Sequence, residues 1–141
     1  METAGETATP SGRADPKPLT ILIVEDDDAV VEGTSDLLEG EGYQVVGVRD
    51  GRDALDRLRR GLRPCVILLD LMMPGMNGWE FRREQLRDDD LRDIPVVVIT
   101  AGNFTEASVK AQLGDIEFVP KLSSLATLLG AIRRRCDEPT L

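Results

Sequence analysis

The sequence contains no histidine. That excludes imidazole acid–base catalysis and imidazole metal ligands together. Cysteine is nearly absent. Cys65 and Cys136 stand far apart and form no CxxC pair, so the expectation is two reduced thiols in a cytosolic protein. Aromatic residues make up only 4% of the chain, and the core must therefore be mostly aliphatic. No apolar run approaches the roughly 20 residues of a membrane span, and no signal-peptide apolar region is visible at the start. The expected location is cytoplasmic, with no membrane contact. Basic residues are outnumbered, 17 against 26 acids, for a net charge of −9. A phosphate backbone or an anionic bilayer needs a basic face, so direct nucleic-acid binding is not expected.

What is present fits one domain of 141 residues with 41% hydrophobic content. Residues 1–17 are small, polar and turn-rich and are expected to form a disordered tail, because they cannot bury enough apolar surface to offset ordering. The domain is expected over 18–136, with a short tail at 137–141.

Within it, apolar runs and helical patterns alternate. Strands are expected at 19–24, 43–48, 66–70, 96–100 and 116–119. Helices are expected from Asp28, as N-cap, to about Gly40, then at 51–60, 79–87 and 105–113, with a last one capped by Ser123 or Ser124. The inward faces are read as Val30, Thr34, Leu37 and Leu38 in the first helix, Ala54, Leu55 and Leu58 in the second, and Phe81 and Leu86 in the third. Val109 and Leu113 alone anchor the fourth, and Leu125, Leu128, Leu129 and Ile132 the last. Gly33, inside the first helix, should weaken it by roughly 0.5–1 kcal/mol relative to Ala. Asp88, Asp89 and Asp90 read as a solvated turn, and Arg133, Arg134 and Arg135 as cations suited to a negative helix end. Five consecutive strand–helix units imply an α/β fold, a parallel sheet with helices on both faces.

One stretch organises the rest: Val66 to Leu69, then Asp70, then Pro74, Gly75, Asn77 and Gly78. A buried parallel strand ends in a carboxylate and is followed by turn formers. In open α/β sheets the ligand site lies off the carboxyl ends of the strands. The other strand ends supply Glu25, Asp26 and Asp27, Thr100, and Lys121. Carboxylates crowded at one edge repel one another and call for a cation. Mg²⁺ suits an oxygen donor set that includes phosphate oxygens. The constellation points to phosphoryl transfer onto Asp70, with Lys121 and the Thr100 hydroxyl facing the phosphoryl oxygens.

These residues carry a resemblance. Val24-Glu25-Asp26-Asp27, the run from Asp70 to Gly78, Ile99-Thr100-Ala101 and Pro120-Lys121 together resemble the receiver domain of two-component response regulators, over about residues 18–135. The resemblance implies a flavodoxin-like three-layer α/β/α fold with strand order 2-1-3-4-5. It implies Asp70 as phosphoacceptor, Asp26 as direct Mg²⁺ ligand, Glu25 acting mainly through water, and the Met72 carbonyl as backbone ligand. Thr100 becomes the switch hydroxyl, Lys121 the phosphoryl-binding lysine, and Phe118 the aromatic that rotates when Thr100 is drawn inward. The donor is then a phosphohistidine on a sensor histidine kinase or phosphotransfer protein, necessarily another molecule here. The output is a protein target on the face of the fourth helix, fifth strand and last helix. The chain is a phosphoacceptor that assists its own reactions rather than an enzyme, and the expectation is a stand-alone receiver or a fragment of a hybrid kinase.

Three departures matter. Leu122 stands where proline usually follows the lysine, and a cis Lys121–Leu122 bond would cost about 2.5–4 kcal/mol. Phe118 replaces a frequent tyrosine. Met72 and Gly102 place no amide or acid on the path of an attacking water, so slow self-hydrolysis is expected. An Asp-nucleophile phosphatase would need a general acid at Met72, which disfavours it. A phosphorylation-independent binding module is the other alternative, favoured only by Leu122.

Overall fold

In the computed structural model, residues 19–136 are described, apart from Gly102 and Leu122. The expected tails, the Lys121–Leu122 bond and the Gly102 part of the water path lie outside the described residues. Five strands, β1 (Thr20–Val24), β2 (Gln44–Val48), β3 (Val66–Leu69), β4 (Val96–Thr100) and β5 (Glu117–Pro120), alternate with five helices. These are α1 (Asp28–Gly40), α2 (Gly51–Arg59), α3 (Gly78–Arg87), α4 (Glu106–Leu113) and α5 (Leu125–Cys136). All strand pairs are parallel, in the order β2-β1-β3-β4-β5. This is the flavodoxin-like arrangement expected from the resemblance.

Alternation along β1 divides the core. Leu22 and Val24 face Ala54, Leu55 and Leu58 of α2, Phe81 of α3, and Val109 and Leu113 of α4. Ile21 and Ile23 face Leu38 of α1 and Leu129, Ala131 and Ile132 of α5. β1 and β3 are buried along nearly their whole length, as strands covered on both faces must be. The chain reverses its winding direction between β1 and β3, and the crevice at such a switch point is where open sheets bind ligands.

Several local expectations are corrected. Asp27, not Asp28, caps α1: its Oδ1 accepts from the Ala29 and Val30 N–H groups at 3.0 and 3.3 Å. Leu37 is 50% exposed and Leu86 41% exposed, so neither anchors its helix. In α3 the inward positions are instead Phe81 with Arg82 and Gln85. Ser124 provides the cap of α5, accepting from the Thr127 N–H at 3.2 Å. The arginines closing α5 do more than suit a helix end. Arg133 pairs with Glu41 at 3.0 Å, Arg134 with Glu117 at 2.9 Å, and Arg135 with Asp115 at 3.4 Å. The aspartate run behaves as a turn: Asp88 caps the Asp90 N–H and meets Arg59, while Asp89 meets Arg92.

The largest correction concerns sulfur. Cys65 and Cys136 are not free thiols but form a disulfide, with Cα atoms 5.0 Å apart. Cys65 sits at the amino-terminal edge of β3, hydrogen-bonded through its N–H to Thr20. A crossover helix runs antiparallel to its sheet, so the carboxyl end of α5 returns to that same edge. Proximity here comes from topology across 71 residues, which no local spacing announces.

Candidate functional site

Register brings the polar strand ends together. Val24 pairs with Leu69, so the next residues, Glu25 and Asp70, leave the sheet side by side. The Asp70 N–H donates to the Val24 carbonyl at 3.0 Å, and the Glu25 N–H to that of Val48 at 3.0 Å. Both carboxylates are thus fixed by main-chain bonds before any side-chain contact is made. Thr100 pairs with Pro120, and the Lys121 N–H donates to the Thr100 carbonyl at 3.1 Å. That places Lys121 at the opposite wall.

The carboxylates are sequestered: Glu25 is 4% exposed and Asp70 5%. Lys121 Nζ lies 2.8 Å from Glu25 Oε1 and 3.6 Å from Asp70 Oδ2. The remaining oxygens are only partly satisfied. Glu25 Oε2 accepts from the Asp27 N–H at 3.1 Å, and Asp70 Oδ1 from the Met72 N–H at 3.3 Å. Burial pushes the Glu25 carboxyl above its ordinary pKa, with the Asp70 charge adding to it, against the bonds from Lys121 and the Asp27 N–H. Burial also works against the Lys121 charge, but its bond to Glu25 and the charges of Asp70 and Glu25 outweigh it, and its pKa is raised. The site therefore holds more negative charge than one ammonium offsets.

Two observations test what could be added. One ligand oxygen from each of Glu25, Asp26 and Asp70 lies within 4.8 Å of the others, the one such group among the described residues. This all-oxygen set fits a hard divalent cation. Thr100, at the end of β4, is 2% exposed, and its Oγ1 is buried without a hydrogen-bond partner. A buried unpaired hydroxyl costs about 1–3 kcal/mol, and such a cost persists where a ligand supplies the missing partner.

The loop after Asp70 is held by α3. Asn77 caps that helix in a reciprocal box with Glu80, and the Gly78 N–H donates to the Leu71 carbonyl at 3.2 Å. A Cβ at Gly78 would lie 2.4 Å from the Asp70 carbonyl oxygen, so only glycine lets α3 approach the main chain of Asp70 this closely. Gly75, at φ +72°, makes the preceding turn. Met72 keeps its main chain beside the carboxylate while its side chain points to solvent. Phe118 is half-buried against the α2–α4 side of the core. Glu25, Asp70 and Lys121 line one pocket, with Asp26 grouped beside the two acids and Thr100 ending β4 next to Lys121; Phe118 lies on the strand beside β4, across from Val98.

An acidic cluster bridged by a lysine, at the switch point of a 2-1-3-4-5 sheet, is the arrangement of the receiver class of signalling domains. The chain belongs to the response regulator receiver domain family, whose pattern residues 21–133 match. It is similar to the polar-differentiation response regulator DivK of Brucella anthropi, 40% identical over 84 residues, covering 60% of this chain and 68% of that one. It is 37% identical over 124 residues to the DNA-binding response regulator MtrA of Mycolicibacterium smegmatis, covering 84% of this chain. It spans about half, 53%, of that relative's length. Among solved structures, it resembles the receiver domain of a Pseudomonas aeruginosa sensor histidine kinase with magnesium coordinated in the active-site cleft. That match has a TM-score of 0.75 and 27% identity, covering 84% of this chain and 98% of the other.

Proposed function

We propose that Asp70 accepts a phosphoryl group from a phosphohistidine on a sensor histidine kinase or phosphotransfer protein. One Asp70 carboxylate oxygen attacks phosphorus, the O–P bond of an acyl phosphate forms, and the N–P bond breaks. The imidazole of the donor leaves with the electron pair and takes a proton from water. The observation that carries this reading is the buried, unpartnered Thr100 Oγ1 at the carboxyl end of β4, on the sheet edge that also carries the clustered acids. It is a donor waiting for an acceptor oxygen.

Glu25, Asp26, Asp70 and the Met72 carbonyl would hold Mg²⁺, which when bound neutralises charge on the phosphoryl oxygens. The chain's own groups do the rest. Lys121 leaves its bridge to Glu25 and Asp70 and follows the new negative charge. Thr100 turns to donate to a phosphoryl oxygen, and Phe118 moves into the volume it leaves. The neighbouring helix α4 is suited to respond, because only Val109 and Leu113 bury it. The face of α4, β5 and α5 then presents a new surface to a protein target. The chain is in this reading a phosphoacceptor rather than a turnover enzyme, acting in the cytoplasm where a kinase donor resides. The apolar Met72 favours slow self-hydrolysis.

Incubation with acetyl phosphate and Mg²⁺, read by intact mass, tests the assignment. Wild type should gain one phosphoryl group that hydroxylamine removes, and Asp70→Asn should gain none. Equal incorporation in both would overturn Asp70 as acceptor, and no incorporation in either would favour a phosphorylation-independent binding module.

A further inference from the structure

A second feature lies away from Asp70, between α3 and α4. A groove of about 510 Å³ runs there, lined by Trp79, Arg82, Arg83, Leu86, Arg87 and Leu113 among others. Its floor is unusual. Arg82 is 4% exposed, and its guanidinium donates to the Leu113 carbonyl at 2.9 Å, to Gln85 Oε1 at 2.8 Å and to the Asp115 carbonyl at 3.3 Å. All three partners are neutral acceptors. No carboxylate lies within ion-pair distance of it among the described residues, although buried charges are normally paired. Burial accordingly lowers its pKa.

The rim repeats the pattern. Arg83 is exposed and forms no ion pair among the described residues. Arg87 meets only Glu84, one turn back on its own helix, at 3.2 Å, a contact of the weak exposed kind. Neighbouring acids are engaged elsewhere: Glu80 holds the Asn77 N–H, and the Asp115 carboxylate meets Arg135. Between these cations lies apolar surface. Leu86 is exposed on α3, and Trp79 stands edge-on to Phe104 with ring centroids 5.6 Å apart. In a chain of net charge −9, this is a local cationic and apolar trough.

We propose that this groove docks an acidic segment of a partner protein. An aliphatic or aromatic side chain of that segment would sit between Trp79 and Leu86, with carboxylates on Arg83 and Arg87 and toward the buried Arg82. Charge complementarity selects this occupant. Field lines from distant acids are screened within a Debye length of about 8 Å, so the groove's own cations decide what settles there. A second copy of this acidic chain, or a polyphosphate lacking apolar groups, matches only part of the surface. Docking here needs neither Asp70 nor its phosphorylation, so it stands or falls separately from the proposed phosphoacceptor role.

The test uses the full chain and a set of short peptides that carry a leucine pair one helical turn apart among glutamates. Matched sets have lysine for glutamate or alanine for leucine. Binding is read by peptide fluorescence anisotropy and by emission of Trp79, the chain's single tryptophan. Members of the acidic leucine set should bind and shift Trp79 emission, and the two matched sets should not. Arg83→Glu with Arg87→Glu, both exposed positions, should weaken binding about tenfold or more while leaving the circular dichroism melt in place. Asp70→Asn should bind as wild type does. The proposal is overturned if no acidic peptide binds at millimolar concentration, or if the double variant binds as well. It is also overturned if the alanine set binds equally, if inorganic phosphate displaces the peptide, or if the face proves to be a self-association surface by light scattering.

Discussion

Replacing Gly78 and Gly33 by alanine is the same chemical change with opposite expected outcomes. At Gly78 the new methyl would sit 2.4 Å from the Asp70 carbonyl oxygen and 2.8 Å from Leu71 Cα. Both are backbone atoms of the loop that carries Asp70, so no side chain can swing aside. Overpacking of this kind costs about 1–3 kcal/mol, and an obstruction on main chain belongs at the upper end. The gain from lower unfolded-state freedom, about 0.4–1 kcal/mol, offsets part of it, leaving a net loss near 2 kcal/mol. At Gly33, inside α1, nothing lies within 4 Å of an added Cβ, and the helix should gain roughly 0.5–1 kcal/mol. Urea unfolding followed by circular dichroism measures both. A shared m value is needed, so that changes in midpoint report native stability. Stability and the site are coupled here: relief at Gly78 must displace α3 or the Asp70 main chain. Gly78→Ala should therefore lower acetyl phosphate incorporation, while Gly33→Ala should not. A Gly78→Ala protein as stable as wild type and equally phosphorylated would refute the claim that this close approach positions Asp70.

Other outcomes follow from contacts already described. Reducing the Cys65–Cys136 bond, which closes a loop of sequence separation 71, should cost about 4 kcal/mol of stability on the chain-entropy model. A Cys65→Ser, Cys136→Ser double variant should be indifferent to dithiothreitol in the same urea titration. Arg134 holds Glu117 through bonds at 2.9 and 3.0 Å, and these bonds, against the opposing effect of burial, put its carboxyl below the ordinary value of 4.5. A depressed folded pKa means this contribution is fully present above the unfolded value and is lost as pH falls through the folded one. Glu117→Gln should flatten that acid limb of the melting profile, and a curve parallel to wild type would count against it. Lys121→Met removes the cation that now bridges Glu25 and Asp70. Mg²⁺ should then bind more tightly by calorimetry, because it no longer competes with an internal ammonium, while phosphoryl incorporation falls.

The polar strand ends were legible because each of these residues follows a short apolar run. Asp70 after Val66 to Leu69, Thr100 at the end of a valine-rich strand and Glu25 after Val24 are all fixed by the same rule: parallel strands deliver their carboxyl ends to one edge. What sequence reading missed lies where elements meet across distance. Arg82 and Gln85 sit on the inward face of α3, at positions where polarity reads as outward. Their partners are carbonyls on a different loop or helix end, Leu113 and Asp115 for Arg82, Leu91 and Ile94 for Gln85. The helical period that suggested Leu86 as an anchor is correct in spacing but displaced in phase, because α3 turns its polar pair inward to tie down its neighbours. The cysteine pair is hidden for the same reason. Nothing local distinguishes a thiol at a strand start from one at a helix end until the sheet order is known.

The disulfide also divides the molecule as a mechanical object. Asp70, Thr100 and Lys121 lie inside the covalent ring it closes, and Glu25 and Asp26 lie outside it. Under tension applied through handles on either side of the ring, force passes across the sulfur bridge and bypasses β3 to α5 altogether. At about 3.5 Å per extended residue, the ring conceals on the order of 250 Å of contour length. An oxidised molecule should unravel only through β1, α1, β2 and α2, tearing the two acids away from Asp70, which stays shielded from the load, and adding a thiol reductant should restore the missing extension.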